Sequence, residues 1–124
     1  MRLLIFDDVA AVREALRLLL SEEPGIEVVG EAADGEEALQ RAADLHPDLV
    51  LLDLEMPRLG GLAAIPRLCA QPHPPKIVAM SMYSADDGAR SRALAAGATT
   101  YVEKGATLQQ VVAALRDARP KTDF

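Results

Sequence analysis

Short aliphatic runs alternate with segments of helical periodicity along the whole sequence, and this alternation restricts the fold more than any other feature. The runs begin near Leu3, Glu27, Leu49, Lys76 and Thr100, so that they recur roughly every 22 to 27 residues. Such an alternation is typical of β-α units that join into a parallel sheet. The sequence therefore predicts an α/β fold in which five β-α units form a parallel sheet.

The apolar content of the runs predicts where the strands lie in the sheet. The first run (residues 3–6) and the third (residues 49–52) are continuously apolar, as expected for central strands that are covered on both faces. The second run, "EVVGEA", is more polar and suits an edge strand.

Capping patterns and apolar stripes predict the helices. Asp34 with Glu37, and Thr107 with Gln110, resemble the capping pairs that open helices, and Pro120 would stop the last helix. The first helix is predicted to bury one apolar stripe, which consists of Val9, Val12, Leu16, Leu19 and Leu20.

Two helices look less regular than the others. The fourth has an alanine-rich inward face with Leu94 as its only large residue, which predicts weak packing and high mobility. The third contains Pro66, so that this helix either starts late or bends.

The composition excludes several classes of function. A formal charge of −6 and few aromatic residues leave no basic, stacking face, so we expect this chain itself to bind no nucleic acid. Its apolar runs are far shorter than the about 20 residues that span a membrane. We therefore expect a cytoplasmic protein that does not bind membranes.

The cysteine and the histidines give no sign of a metal cluster in the sequence. Cys69 is the only cysteine, and its apolar neighbours predict a small core residue. His46 and His73 lie beside prolines and are interpreted as turn residues, since neither has a second histidine at metal-ligand spacing.

Three acidic residues follow predicted central strands. Asp7 and Asp8 follow the first, and Asp53 ends the third. Singly, Asp8 is explained as a helix cap and Asp53 as a turn residue. If the two strands are neighbours, however, three carboxylates meet at one edge of the sheet and repel one another. Because Mg²⁺ prefers oxygen ligands and relieves this repulsion, the set predicts a Mg²⁺ pocket.

Two further polar residues end neighbouring strands. Ser81 follows the fourth and Lys104 follows the fifth, so both are predicted at the same edge as the acids. A metal, an ammonium group and a hydroxyl are the groups that neutralise charge in phosphoryl transfer. Asp53 would then be the nucleophile. Singly, Ser81 is explained as a turn residue and Lys104 as a surface lysine.

These motifs together resemble the receiver domain of response regulators. The motifs are "DD" after the first strand, "LLDLEMPRLGGL" around the third, "MS" after the fourth and "YVEKG" after the fifth. The segments "DGEEAL" and "ALAAGATTYVEKGATLQQVVAAL" are most similar to the NarL/FixJ (LuxR-type) branch. The resemblance covers nearly the whole chain.

The resemblance implies a flavodoxin-like, doubly wound sheet of five parallel strands in the order 2-1-3-4-5, with helices on both faces. It implies that Asp53 accepts a phosphoryl group from a sensor histidine kinase. It also implies a Mg²⁺ (or Mn²⁺) site, with Lys104 and Ser81 on the phosphoryl oxygens and Ser81 and Tyr101 as switch residues. The implied metal ligands are Asp7, Asp8, Asp53 and the backbone carbonyl of Glu55. The surface of the fourth helix, fifth strand and fifth helix would change, and a homodimer on phosphorylation is compatible with this.

The domain boundaries and the output leave alternatives. We expect a receiver domain over residues 1–118, and a tail at 119–124 that starts a linker to a DNA-binding helix-turn-helix domain. A stand-alone receiver that acts by protein contact is the alternative. An enzymatic alternative is a small phosphatase with an aspartyl nucleophile, in which Glu55 would be the general acid. A flavodoxin-type cofactor protein would need a phosphate-binding loop after the first strand, and the sequence lacks one. We expect no conventional enzyme, since the module promotes only its own phosphorylation and dephosphorylation.

Overall fold

The computed structural model describes residues 1–54, 60–81, 88–103 and 106–120. The strands in this part of the chain are β1 (Arg2–Phe6), β2 (Glu27–Ala32), β3 (Leu49–Asp53), β4 (Lys76–Met80) and β5 (Thr100–Val102). The helices are α1 (Ala10–Ser21), α2 (Gly35–Leu45), α3 (Gly61–Cys69), α4 (Ala89–Ala96) and α5 (Leu108–Ala118). None of these helices is both long enough and apolar enough to cross a bilayer.

The strands form one parallel sheet, and their order confirms the fold predicted from the sequence. The order is β2-β1-β3-β4-β5, and each neighbouring pair is parallel. The polar second strand lies at an edge, as predicted. The apolar strands β1 and β3 lie side by side in the middle of the sheet, where both of their faces are buried.

Helices cover both faces of the sheet and enclose two apolar clusters. On one face, α2, α3 and α4 contribute mostly small residues, which pack with Phe6, Leu52 and Tyr101. On the other face, α1 and α5 contribute Leu20, Leu115 and two valines, which pack with alternate residues of the same strands. The alternation of side chains along each strand therefore divides the core between the two faces.

Side chains and a glycine cap several helices as the sequence predicted. Asp34 accepts a hydrogen bond from the Glu37 amide at 3.0 Å and so caps α2. Thr107 and Gln110 form a reciprocal capping box at the start of α5. Gly97 ends α4 with a φ of +123°, a conformation that side chains disfavour.

Several predictions of burial are wrong. Val9 and Leu19 are 47% and 46% exposed, because α1 turns only Leu20 fully into the core while Val12 and Leu16 are half-buried. An apolar stripe wider than the contact with the sheet leaves its margins in solvent.

Cys69 and Leu94 are also exposed, contrary to expectation. Cys69 is the last residue of α3, where the helix leaves the sheet, and its Sγ lies 3.7 Å from the Gly97 carbonyl oxygen. Leu94 is 39% exposed, so Ala89 and Ala93 alone make the fully buried surface of α4.

Pro66 lies inside α3 and does not delay its start. The helix begins at Gly61 and continues past the proline to Cys69. Pro66 has no amide hydrogen and cannot bond to the Leu62 carbonyl, but its own carbonyl accepts from the Ala70 amide at 3.1 Å. The helix therefore tolerates one missing bond on its exposed side.

Gly61 allows the start of α3 to pass against the end of β3. A Cβ atom on this residue would lie 2.0 Å from the carbonyl oxygen of Asp53 and 2.8 Å from the Cα of Leu54. Both neighbours are backbone atoms, which cannot rotate away. A side chain at position 61 would therefore push the helix away from Asp53.

We predict that Gly61→Ala destabilises the chain. Forcing atoms into a packed site costs about 1–3 kcal/mol, whereas Ala63→Ser on the exposed side of the same helix should change the free energy of unfolding by about 0.5 kcal/mol or less. Urea unfolding of both variants measures this difference. Equal midpoints for Gly61→Ala and the unaltered chain would contradict it.

We further predict that α4 is less protected from hydrogen exchange than α5. α4 fully buries two alanines, whereas α5 buries Val111, Val112, Leu115 and Ala118. Less buried apolar area gives less resistance to local opening, so we expect protection factors at least about tenfold lower in α4. Amide exchange followed by NMR measures both helices in one sample. Equal protection would show that packing does not set local stability here.

Candidate functional site

Three carboxylates meet at the carboxyl edge of the sheet. Asp53 is the last residue of β3, and Asp7 and Asp8 directly follow β1, its parallel neighbour. One carboxylate oxygen of each lies within 4.8 Å of the other two. Asp7 and Asp53 are buried, and Asp8 is exposed. The structure thus brings together the three acids that the sequence predicted to converge.

Asp7 has one anchored oxygen and one unsatisfied oxygen. Its Oδ1 accepts a hydrogen bond from the Val9 amide at 2.8 Å. Its Oδ2 is buried and has no hydrogen-bond partner among the described residues. Leaving a buried polar atom unpaired is costly, and an oxygen-preferring cation would satisfy it. The donor set therefore fits a hard divalent cation.

The environment of Asp7 raises its pKa. Burial is the largest cause, because it disfavours the charged carboxylate. The hydrogen bond from the Val9 amide lowers the pKa, the nearby Asp8 raises it, and Arg13 lowers it. The net direction is upward, so the folded chain holds a proton on Asp7 more tightly than the unfolded chain does.

A network of charged residues beside the acids was not predicted from the sequence. Arg13 donates from Nη1 to the Asp7 carbonyl oxygen at 2.7 Å, and its Nε lies 3.2 Å from Glu31. Arg17 reaches the other oxygen of Glu31 at 3.2 Å. Arg13 and Arg17 are four residues apart and therefore lie on one face of α1. Only the fold shows that the end of β2 lies opposite this face. Arg13 thereby fixes the backbone that carries Asp7.

Backbone contacts fix the position of Asp53. It pairs with Met80 in the register between β3 and β4, and the next amide, of Leu54, donates to the Met80 carbonyl at 2.9 Å. Ser81 follows directly and is buried. Gly61 closely approaches the backbone carbonyl group of Asp53. Asp53 and Ser81 therefore sit next to each other at the ends of neighbouring strands.

The remaining predicted site residues have different outcomes. Tyr101 lies in β5 and is buried in the cluster on the α3–α4 face. Lys104 and Glu55 lie outside the described residues.

Comparison with known proteins gives consistent matches. The family model for the response regulator receiver domain matches residues 3–116. The response regulator GacA of Pseudomonas viridiflava is 41% identical over 115 residues, which are 93% of this chain and 53% of GacA. The transcriptional regulatory protein LiaR of Bacillus subtilis is 36% identical over 94% of this chain and 55% of LiaR.

Not all relatives carry the name of a regulator. A protein-glutamate methylesterase/protein-glutamine glutaminase of Geobacter metallireducens is 45% identical over 83% of this chain and 30% of that protein. The chain spans about half the length of GacA and LiaR, and less of the methylesterase.

Solved structures share the fold. The receiver domain of a NarL response regulator from Mycobacterium tuberculosis superposes with a TM-score of 0.86 at 30% identity, covering 94% of this chain and 93% of that domain. The match of the family model over nearly the whole chain agrees with the sheet order and the acidic cluster. The chain belongs to the response regulator receiver domain family.

Proposed function

We propose that this chain is a phosphorylation-activated switch whose phosphoacceptor is Asp53. The convergence of the Asp7, Asp8 and Asp53 carboxylates within 4.8 Å is the observation that carries the proposal. A carboxylate at the end of a rigid central strand, next to a buried hydroxyl, is suited to attack an incoming phosphorus atom. The phosphoryl donor is a phosphohistidine of a sensor histidine kinase.

In the proposed step, an oxygen of Asp53 forms a bond to phosphorus while the bond from phosphorus to the donor nitrogen breaks. The donor imidazole leaves, and Asp53 becomes an acyl phosphate. Mg²⁺ or Mn²⁺, when bound, offsets the negative charge of the carboxylates and the phosphoryl oxygens. Asp7, Asp8, Asp53 and the backbone carbonyl of Glu55 are its proposed ligands.

Ser81 and Lys104 have proposed roles on the phosphoryl group. The Ser81 hydroxyl donates to a phosphoryl oxygen, and the Lys104 ammonium neutralises another. Support for the Ser81 role comes from its burial beside Asp53. The Lys104 and Glu55 roles rest on the sequence motifs alone.

Tyr101 is the proposed relay to the surface. It is buried in one cluster with Ala89 and Ala93 of α4, so a shift of Ser81 at the end of β4 would reach α4 through neighbouring side chains. The weakly packed α4 would then move with little cost, which changes the surface of α4, β5 and α5. Such a surface suits contact with a second copy or with an attached domain.

The proposed output is regulation of transcription through a DNA-binding domain that follows a receiver at residues 1–118, with 119–124 as the start of the linker. The name of LiaR supports this, whereas the methylesterase relative illustrates an enzymatic output. A stand-alone receiver is the other alternative. In each case the receiver itself catalyses only its own phosphorylation and dephosphorylation.

Incubation with acetyl phosphate tests the phosphoacceptor directly. We expect intact mass to show one added phosphoryl group on the unaltered chain with Mg²⁺, and none on Asp53→Asn or after chelation of the metal. Ser84→Ala controls for a second acceptor and should be labelled normally. Labelling of Asp53→Asn to the same extent would refute the assignment, and turnover of p-nitrophenyl phosphate would favour the phosphatase alternative.

Removal of the Asp7 charge tests the metal site through stability. We expect Asp7→Asn to be more stable than the unaltered chain without Mg²⁺, by about 1 kcal/mol, because it removes a buried charge that is repelled by the neighbouring carboxylates. Mg²⁺ should raise the stability of the unaltered chain by mass action but raise that of Asp7→Asn much less. Thermal unfolding with and without Mg²⁺ measures both effects.

The pH dependence of this difference has a defined sign. Because the pKa of Asp7 is raised in the folded chain, the folded state binds more protons than the unfolded state above the ordinary aspartate pKa. The contribution of Asp7 to stability therefore falls as pH rises toward the folded pKa. Without Mg²⁺, the advantage of Asp7→Asn should grow from acid to neutral pH, and a constant advantage would contradict the raised pKa.

A further inference from the structure

The only two histidines of the chain lie against each other. His46 and His73 are far apart in sequence, yet their ring centroids are 4.5 Å apart, with the ring planes tilted by 41°. Both residues are exposed. The sequence suggested two unrelated turn residues, and the fold instead makes them a pair.

The pair lies at the opposite edge of the sheet from the acidic site. His46 follows α2 and precedes β3, and His73 precedes β4, so both stand at the amino ends of strands. Asp53 ends the five-residue β3, and a strand rises about 3.3 Å per residue, which separates the two places by roughly 17 Å. The histidine pair is therefore separate from the acidic site.

The backbone restricts both histidines. His46 has a φ of +48°, which makes it the one non-glycine residue with a positive φ in the described part of the chain. Its amide donates to the Ala42 carbonyl at 3.1 Å and closes the end of α2. His73 stands between two prolines, which limit the conformations of the loop around it. Because the backbone of both histidines is already restricted, little further backbone freedom is lost when a ligand holds the two residues together.

Two hydrogen bonds join the segments that carry the rings. Gln71 donates from Nε2 to the Leu39 carbonyl of α2 at 2.9 Å, and the Lys76 amide donates to the Asp48 carbonyl at 3.0 Å. These bonds lie on either side of His73 in sequence and reach residues on either side of His46. The fold therefore holds the backbone segments of the two histidines side by side, which favours a shared ligand site.

We propose that His46 and His73 bind a divalent transition metal ion of the zinc class through their imidazole nitrogens. Imidazole is a preferred ligand of Zn²⁺, Ni²⁺ and Cu²⁺ and a poor ligand of Mg²⁺. No third His, Cys, Asp or Glu of the described residues joins the pair within 4.8 Å. Asp48 is engaged, since its Oδ2 accepts from the Arg2 amide at 2.7 Å. Two coordination positions of a tetrahedral ion therefore remain for water or for a ligand of another molecule.

NMR of the histidine rings tests the site without any measure of activity. The chain, prepared without a histidine tag, has one Hε1 resonance for each of its two histidines. With Mg²⁺ in excess to occupy the acidic site, we expect Zn²⁺ to shift both resonances together and to saturate at one ion per chain. Asp53→Asn should give the same titration, because the acids are not ligands of this ion.

Single substitutions distinguish a shared ion from two separate ones. His46→Asn keeps a residue that tolerates the left-handed conformation, and His73→Gln keeps a polar side chain. Each should weaken Zn²⁺ binding by about tenfold or more by removing one of two ligands, while far-UV circular dichroism without Zn²⁺ stays unchanged. Shifts confined to one ring, or an undiminished affinity in either variant, would overturn the proposal.

Discussion

The site depends on holding mutually repelling carboxylates at the ends of two central strands. Asp7 and Asp53 are buried close together in the folded chain. In the unfolded chain the two side chains would move apart and the repulsion would vanish. β1 and β3 prevent this, because they are paired in register and covered by apolar side chains on both faces. The apolar strands thus supply the stability that offsets the repulsion, and a bound cation would remove its cause. The same packing leaves Asp53, the proposed nucleophile, little freedom of position.

The helices around this rigid centre are not packed equally well, and the weakly packed α4 belongs to the proposed output surface. α4 buries two alanines, Ala89 and Ala93, in the cluster on its face, whereas α5 buries two valines, a leucine and an alanine in the other cluster. A change at Ser81 would therefore meet less resistance toward α4 than toward α5. On this view the receiver domain needs rigid strands to position the reacting groups. It also needs a loosely packed helix whose movement transmits the change to the surface.

The sequence predicts those parts of the molecule that depend on neighbours along the chain. The continuously apolar β1 and β3, the cap at Thr107 and the convergence of Asp7 with Asp53 all follow from local patterns and the rules of parallel sheets. Burial at the margins of helices does not, because the width of the contact between α1 and the sheet decides whether Leu19 is covered. Contacts between distant loops were also missed, since nothing in the local sequence relates His46 to His73.

The two ends of β3 offer different ligands and so separate two kinds of metal ion. At the carboxyl end, oxygen ligands and a high negative charge favour hard cations such as Mg²⁺. At the amino end, imidazole nitrogens favour Zn²⁺ and similar ions, and they attract Mg²⁺ little. Occupancy of one place leaves the other available, because the five-residue strand β3 separates them by roughly 17 Å. A zinc-class ion with open coordination positions would then add a point of attachment for another molecule at the edge of the sheet opposite the acidic site.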